Sequence, residues 1–435
     1  MRISIGNAEE AVKAGNLSPD IESASSTRLL DARSLRNWTQ PIPGRNLLHV
    51  LSEYVLLLLL QGSTFWFFSH ARGWGVPWWL QGFVGLAAFF LTGCFLHRIA
   101  LLGHEASHYL LLKNRKWNDI LADLLCFFPL WSTLVSYRQK HTGHHLYPNE
   151  PGKDPNLGSE AAERLFASFP MKNPAGIYRY FARFFWPPFV LRYLIDLIKV
   201  LAMGNSRTGG AAEAKMETRK GISPLFLGLA YLVAFRGFLA TAERTGSDAV
   251  VAIGPVLVHL LVGVGGCLLI PRSWFKNWTA KLNYDQKLAA VIRITFYALL
   301  LATMSWLRHF TGLNFGPFYL VFWLLPLIYA FPYLMLLREL YHHANLGTGK
   351  FDNSRIIHAD PFTRWAVLGY GNDYHLVHHI YPNIPHYHLR AAHRQLVEES
   401  AEYRRQLEEV HGTVRAPMGR RSLSEALALQ SHCTG

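Results

Sequence analysis

Long apolar runs alternate with polar, basic segments along this chain. A helix needs about 20 apolar residues to cross a hydrocarbon core of ~30 Å. Six stretches qualify, at about 47–68, 76–102, 222–240, 250–270, 289–306 and 316–337. The first two are separated only by Ser69–Gly75, which predicts a helical hairpin. A further apolar run, Trp117–Val135, is broken by Asp119, Asp123 and Pro129. It reads as a re-entrant or surface-lying hairpin and not as a crossing. Tyr178–Met203 mixes Phe, Trp, Leu, Arg and Lys, the composition of a helix lying in the interface, and 204–221 reads as a loop. The pattern divides the chain into a polar cytosolic N-terminal arm (1–45), a membrane domain (46–395) and a polar C-terminal tail (396–435). The fold class expected is an all-α integral membrane protein, a helical bundle with a cytosolic helical cap.

Composition supports that reading. Half of the 435 residues are hydrophobic and only 17% are charged, against roughly 25% in soluble domains. The net charge of +14 raises the question of nucleic acid, but its placement answers it. With six spans, the loops on one side hold only Arg72, Arg244 and Arg308, and Arg98, Arg236 and Arg293 fall inside spans. Every other Lys and Arg lies on the opposite side, which the positive-inside rule makes cytoplasmic. The charge is a topology signal, and no nucleic-acid partner is expected. Cys94, Cys126, Cys267 and Cys433 form no C-x-x-C pair and read as small buried hydrophobes. No apolar run precedes Leu47, so no cleaved signal peptide is expected.

The chemistry lies in the histidines. His375, His378 and His379 form an H-x-x-H-H box, repeated at His141, His144 and His145, and His104 and His108 form a third group. Residues three and four apart share a helical face, so each box is expected to aim its rings at one point. Glu339, His342 and His343 follow the same spacing just after the last span. All these groups fall on the cytoplasmic side. Imidazole suits iron, zinc and copper. The sequence HEASH (His104–His108) is also a literal H-E-x-x-H, in which Glu105 would be the base of a zinc protease. That reading uses one metal and leaves two boxes unexplained. Eight box histidines exceed one four-coordinate zinc and suit two metals. An all-histidine site beside a bilayer points to iron meeting O2 and to hydrogen removal from an unactivated C–H bond. The remaining histidines, His358, His386, His388, His393 and His411 among them, read as surface or hydrogen-bonded residues.

HEASH, RQKHTGHH (Arg138–His145) and NDYHLVHHIYPNIPHYHL (Asn372–Leu389), in this order with spans between the second and third, resemble the membrane fatty acid desaturase family. The resemblance covers roughly 45–395. It implies two iron ions held by His104, His108, His141, His144, His145, His375, His378 and His379, with His343 as a ninth ligand. It makes Glu339 and His342 possible ligands or close supports, and Asn372, Tyr374 and Asp154 residues that orient ligands by hydrogen bonds. It implies insertion of a double bond into an acyl lipid, acyl-CoA or acyl-carrier-protein substrate. Related hydroxylases and ketolases, acting on carotenoids, sterols or alkanes, share the boxes. No heme-binding H-P-G-G stretch is present, so electrons are expected from a separate ferredoxin or cytochrome b5.

Overall fold

The computed structural model of the chain describes residues 29–158, 160–172, 182, 186–189, 191, 195, 224–275 and 278–428. The interfacial helix expected at Tyr178–Met203 lies largely outside the described residues, and the loop at 204–221 wholly so.

A short helix, α1 (Ala32–Trp38), is capped by the Asp31 carboxylate and precedes the first span. The spans α2 (Arg45–His70) and α3 (Trp78–Ser107) form the expected hairpin, with Gly75 at φ +65° in the turn and Pro77 opening α3. At 30 residues, α3 is about 45 Å long, more than a bilayer core needs. Its first half exposes Trp78, Phe83 and Leu86, the surface a lipid-facing helix presents. From Thr92 onward it is almost wholly buried, and its last turn carries His104.

The run after α3 is sharply bent. Helix α4 (Arg115–Ala122) continues through a wide turn and a tight one to Leu130, and α5 (Leu134–Leu146) leaves at 90° to it. Irregular backbone at membrane depth must be satisfied by protein. The carbonyls of Leu125, Phe128 and Pro129 accept from Tyr54, Tyr297 and Trp323, side chains of three different spans. The Phe128 ring is buried with Leu232, Ile294 and Tyr297.

Helix α6 (Glu160–Phe166) follows. The remaining spans are α7 (Pro224–Thr245), α8 (Asp248–Leu269), α9 (Gln286–Thr311) and α10 (Phe315–His343). Asp285 caps the start of α9 and Gly312, at φ +70°, ends it. Helix α10 lies directly on α3. A Cβ on Gly93 would stand 2.3 Å from that of Ala330, so glycine is needed for the two backbones to approach. Both helices end at the same end of the bundle, and the last residues of each are histidines or lie beside one.

Beyond α10 the chain folds into a cap. Its elements are β1 (Ile356–His358), α11 (Pro361–Ala366), α12 (His375–Ile380), α13 (His386–Glu399), α14 (Ala401–Gln406), β2 (Glu409–His411) and α15 (Leu423–Leu427). Strands β1 and β2 form a parallel pair. Residues 396–428 belong to this cap: Tyr403, Val410, Leu423, Ala426 and Leu427 are all buried. Arg98, inside a span by sequence, is held at the cap by Glu53 at 2.6 Å and by the Trp365 carbonyl at 2.9 Å.

Candidate metal centre

Nine histidines meet where α3, α5, α10 and α12 converge. They form two clusters. One gathers His104, His108, His141, His145 and His378, and the other gathers His144, His343, His375 and His379. The clustering bears on the path of the Trp117–Val135 run. A crossing there would put His104 and His141 on opposite faces of a bilayer, yet their rings lie 4.5 Å apart.

The expectation that each H-x-x-H-H box aims at one point needs correction. In both boxes the first and last histidines stay together and the middle one departs. His141 and His145 join the first cluster while His144 joins the second; His375 and His379 join the second while His378 joins the first. The cause is helical pitch. Positions i and i+4 differ by about 40° around a helix, whereas i+3 and i+4 differ by about 100°. His104 and His108, an i, i+4 pair, also stay together.

Within each cluster the Nε2 atoms face one another. The separations are 2.9 Å for His104–His378, His108–His141 and His141–His145, and 3.1 Å for His145–His378. In the second cluster they are 3.2 Å for His144–His343 and 3.1 Å for His343–His375 and His375–His379. A neutral imidazole carries one N–H. His144 gives its Nδ1–H to Asp154, 2.9 Å away, and His343 gives its Nδ1–H to the Asn353 carbonyl at 2.8 Å. A carbonyl cannot donate, so with both rings neutral the two Nε2 atoms present lone pairs to each other. Such an arrangement is repulsive without a cation between them. Metal–nitrogen bonds of ~2.1 Å in tetrahedral or octahedral geometry set neighbouring nitrogens about 3.0–3.4 Å apart, close to the separations seen. The donor set therefore fits metal ions.

Electrostatics agree. Burial and the neighbouring rings push His141, His145, His375, His378 and His379 well below the usual imidazole range, so they are neutral and able to ligate. Burial also opposes charge on His144, but the hydrogen bond and charge of Asp154 outweigh it and raise that ring above the ordinary value.

The other sequence candidates divide. Asp154 stands directly behind His144 and also accepts from the backbone of Asn149 and Asn156. His342 stacks on His375 with centroids 3.9 Å apart and joins neither cluster. Glu339 is bound by Arg338 and Asn156. The Asn372 amide bonds the Gly369 and Tyr370 carbonyls and so shapes the loop before α12. Tyr374 packs against His393. Neither of these two side chains hydrogen-bonds a clustered imidazole in the manner expected.

Sequence reasoning missed several supports. The Glu105 carboxylate accepts from the His386 backbone at 3.0 Å and lies 3.3 Å from its Nδ1, so His386 is a hydrogen-bonded residue whose partner is the glutamate of the first box. This tie joins the first box to the turn after the third. It also occupies the group that a zinc protease would use as base, and His104 and His108 share their cluster with three more histidines. Arg138 donates to Asp119 and to the carbonyls of Ser107 and Lys281, fixing α3, α4 and α5 together. The signal available was an aspartate in an apolar run.

The fatty acid desaturase family model matches residues 77–274 and 254–410, most of the chain. The chain belongs to the fatty acid desaturase family. It is 23% identical to a dihydrorhizobitoxine desaturase of Bradyrhizobium elkanii over 73% of this chain and 68% of the relative. It is 25% identical to an sn-1 oleoyl-lipid 12-desaturase of Picosynechococcus sp. over 75% of this chain and 72% of that protein. A beta-carotene 4-ketolase of Haematococcus lacustris is 32% identical, over 25% of this chain and 35% of its own. No solved structure matches the chain. The protein is thus a membrane oxidoreductase of the desaturase superfamily.

Proposed function

We propose that this chain is an O2-dependent desaturase that introduces a double bond into a fatty acyl chain at the cytoplasmic face of a membrane, using two irons. The observation that carries the reading is the pair of clusters in which histidine Nε2 atoms face one another at 2.9–3.2 Å. His104, His108, His141, His145 and His378 would hold one iron, and His144, His343, His375 and His379 the other. Iron with O2 and two electrons supplies the oxidising power that hydrogen removal from an unactivated C–H bond requires, which side-chain acids and bases lack.

The protein's own part is orientation and exclusion. Asp154 and Asn353 fix the tautomers of His144 and His343. The end of α3, wholly buried, keeps the centre from bulk water. The centre lies at the ends of α3 and α10, where an acyl chain would reach it from the bilayer. The basic segments cluster at this same end, in support of a cytoplasmic orientation. Arg390 and Arg394, exposed one turn apart on α13, offer a face to an acidic electron carrier of the ferredoxin or cytochrome b5 kind. The relatives matched over most of the chain are both named desaturases, which favours desaturation. The local likeness to a carotene ketolase favours the second reading, an oxygenation of a carotenoid.

Expression in a host of defined lipid composition, followed by mass spectrometry of its fatty acid methyl esters, tests the proposal. A new unsaturated acyl species, absent with His378→Ala, is expected. An unchanged acyl profile together with an oxygenated product from added carotenoid would establish the second reading instead.

A further inference from the structure

A separate donor cluster sits on the small parallel sheet of the cap. His358 on β1 pairs in register with His411 on β2. Side chains two apart on a strand share a face, so Glu409 projects on the same side as His411. His358 Nε2 lies 2.5 Å from Glu409 Oε1. The His358 and His411 rings stack with centroids 4.5 Å apart and planes 17° from parallel. One nitrogen from each ring and one Glu409 oxygen all fall within 4.8 Å of one another. Helix α13 brings His393 over the same face. The Tyr403 hydroxyl holds its Nδ1 at 2.9 Å, which aims Nε2 to 3.6 Å from the same carboxylate oxygen.

An ion pair does not account for this set. One carboxylate can neutralise one imidazolium, yet three imidazoles surround it. Two rings stacked face to face cannot both carry charge without strong repulsion. His411 Nε2 is buried and has no hydrogen-bond partner. Neutral imidazoles converging with one carboxylate are instead the donor set of a zinc-class divalent ion.

We propose that His358, Glu409 and His411, with His393 completing the set, form a third metal site that takes one zinc-class divalent cation and is independent of the nine-histidine centre. The site has a structural task. Strands of three residues form a weak ladder on their own, and these two join the segment after the last span to a strand 51 residues further along. A metal there pins the C-terminal strand to the cap. Tyr374, whose ring touches both His358 and His393, directly precedes His375, so the pinned sheet backs the third box.

The test uses full-length protein in detergent, with its nine-histidine centre loaded with ferrous iron and then equilibrated with a slight excess of zinc. Metals are counted by mass spectrometry. One zinc per chain is expected in the wild type and none in Glu409→Gln or His411→Ala, with iron unchanged in all three. Equal zinc in the wild type and both variants would overturn the proposal. Zinc-edge X-ray absorption of the wild type decides the matter should a variant fail to fold. Nitrogen and oxygen neighbours without a nearby metal are expected there, and either a metal neighbour or no retained zinc overturns it.

Discussion

Asp154→Asn should weaken one half of the metal centre and spare the other. The Asp154 carboxylate is 2% exposed and lies 2.9 and 3.0 Å from His144 Nδ1. It also accepts backbone N–H groups of Asn149 at 2.9 Å and Asn156 at 2.8 Å. Asparagine keeps the shape but turns one acceptor oxygen into an NH2 donor. Since both oxygens face donors, at least one N–H is left unsatisfied whichever way the amide turns. That costs about 1–3 kcal/mol in the metal-free fold. The effect on metal is separate. A carboxylate behind a ligating histidine typically contributes a factor of about 10–100 in metal affinity, or roughly 1.4–2.8 kcal/mol. His144 belongs to the four-histidine cluster, so only that cluster should weaken. A chelator titration of the loaded protein, with metal counted at each step, reads this directly. Two phases are expected in the variant. One metal leaves at a chelator concentration lower by the factor above, and the other leaves where wild type releases it. Thermal unfolding of the metal-free variant gives the fold's share separately. A curve superimposable on wild type, or one in which both metals shift together, would refute the argument.

Glu105→Gln should retain both metals and most oxidative activity, at a cost of about 1 kcal/mol in thermal unfolding, because a glutamine oxygen can still accept the His386 N–H; loss of a peptidase activity in this variant would return the zinc-protease reading. Metal-free protein should be most stable above about pH 6.5 and lose stability as pH falls. His141, His145, His375, His378 and His379 are held neutral in the fold, with values well below the 6.5 they have when unfolded, so unfolding takes up protons across that range. Melting temperatures from pH 8 to 5.5 check the sign, and a rise toward acid would contradict it. Gly93→Val should destabilise the bundle by about 1–3 kcal/mol, since its side chain meets Ala330. Gly82→Ala, in open space on the same helix, is the control and should behave as wild type.

The spans and boxes were legible because both are local patterns. Apolar runs of the right length give the crossings, and the i, i+3, i+4 rule finds the histidines. What holds the rings in place was not legible, because it is tertiary. Glu105 meets His386 across 281 positions, and Asn353 presents a backbone carbonyl to His343 that no side-chain pattern encodes. The segment past 395 read as a polar tail because its charges dominate. Leu423, Ala426 and Leu427 sit at helical spacing within it and pack into the cap core.

The division of the histidines shows how local and tertiary order combine. A single box cannot aim three rings at one point, because the 100° step between adjacent residues parts the last two. Bringing two such boxes face to face solves this by exchange. Box two lends His144 to the cluster that His375 and His379 anchor, and box three lends His378 to the cluster of His141 and His145. Helices α5 and α12 each reach both donor sets. Deleting His378 or His144 therefore removes a donor that belongs, by sequence, to the neighbouring cluster's box. A loss of metal from the first cluster on mutating His378 in the third box, and from the second cluster on mutating His144 in the second, follows from helix pitch together with the facing of the two boxes.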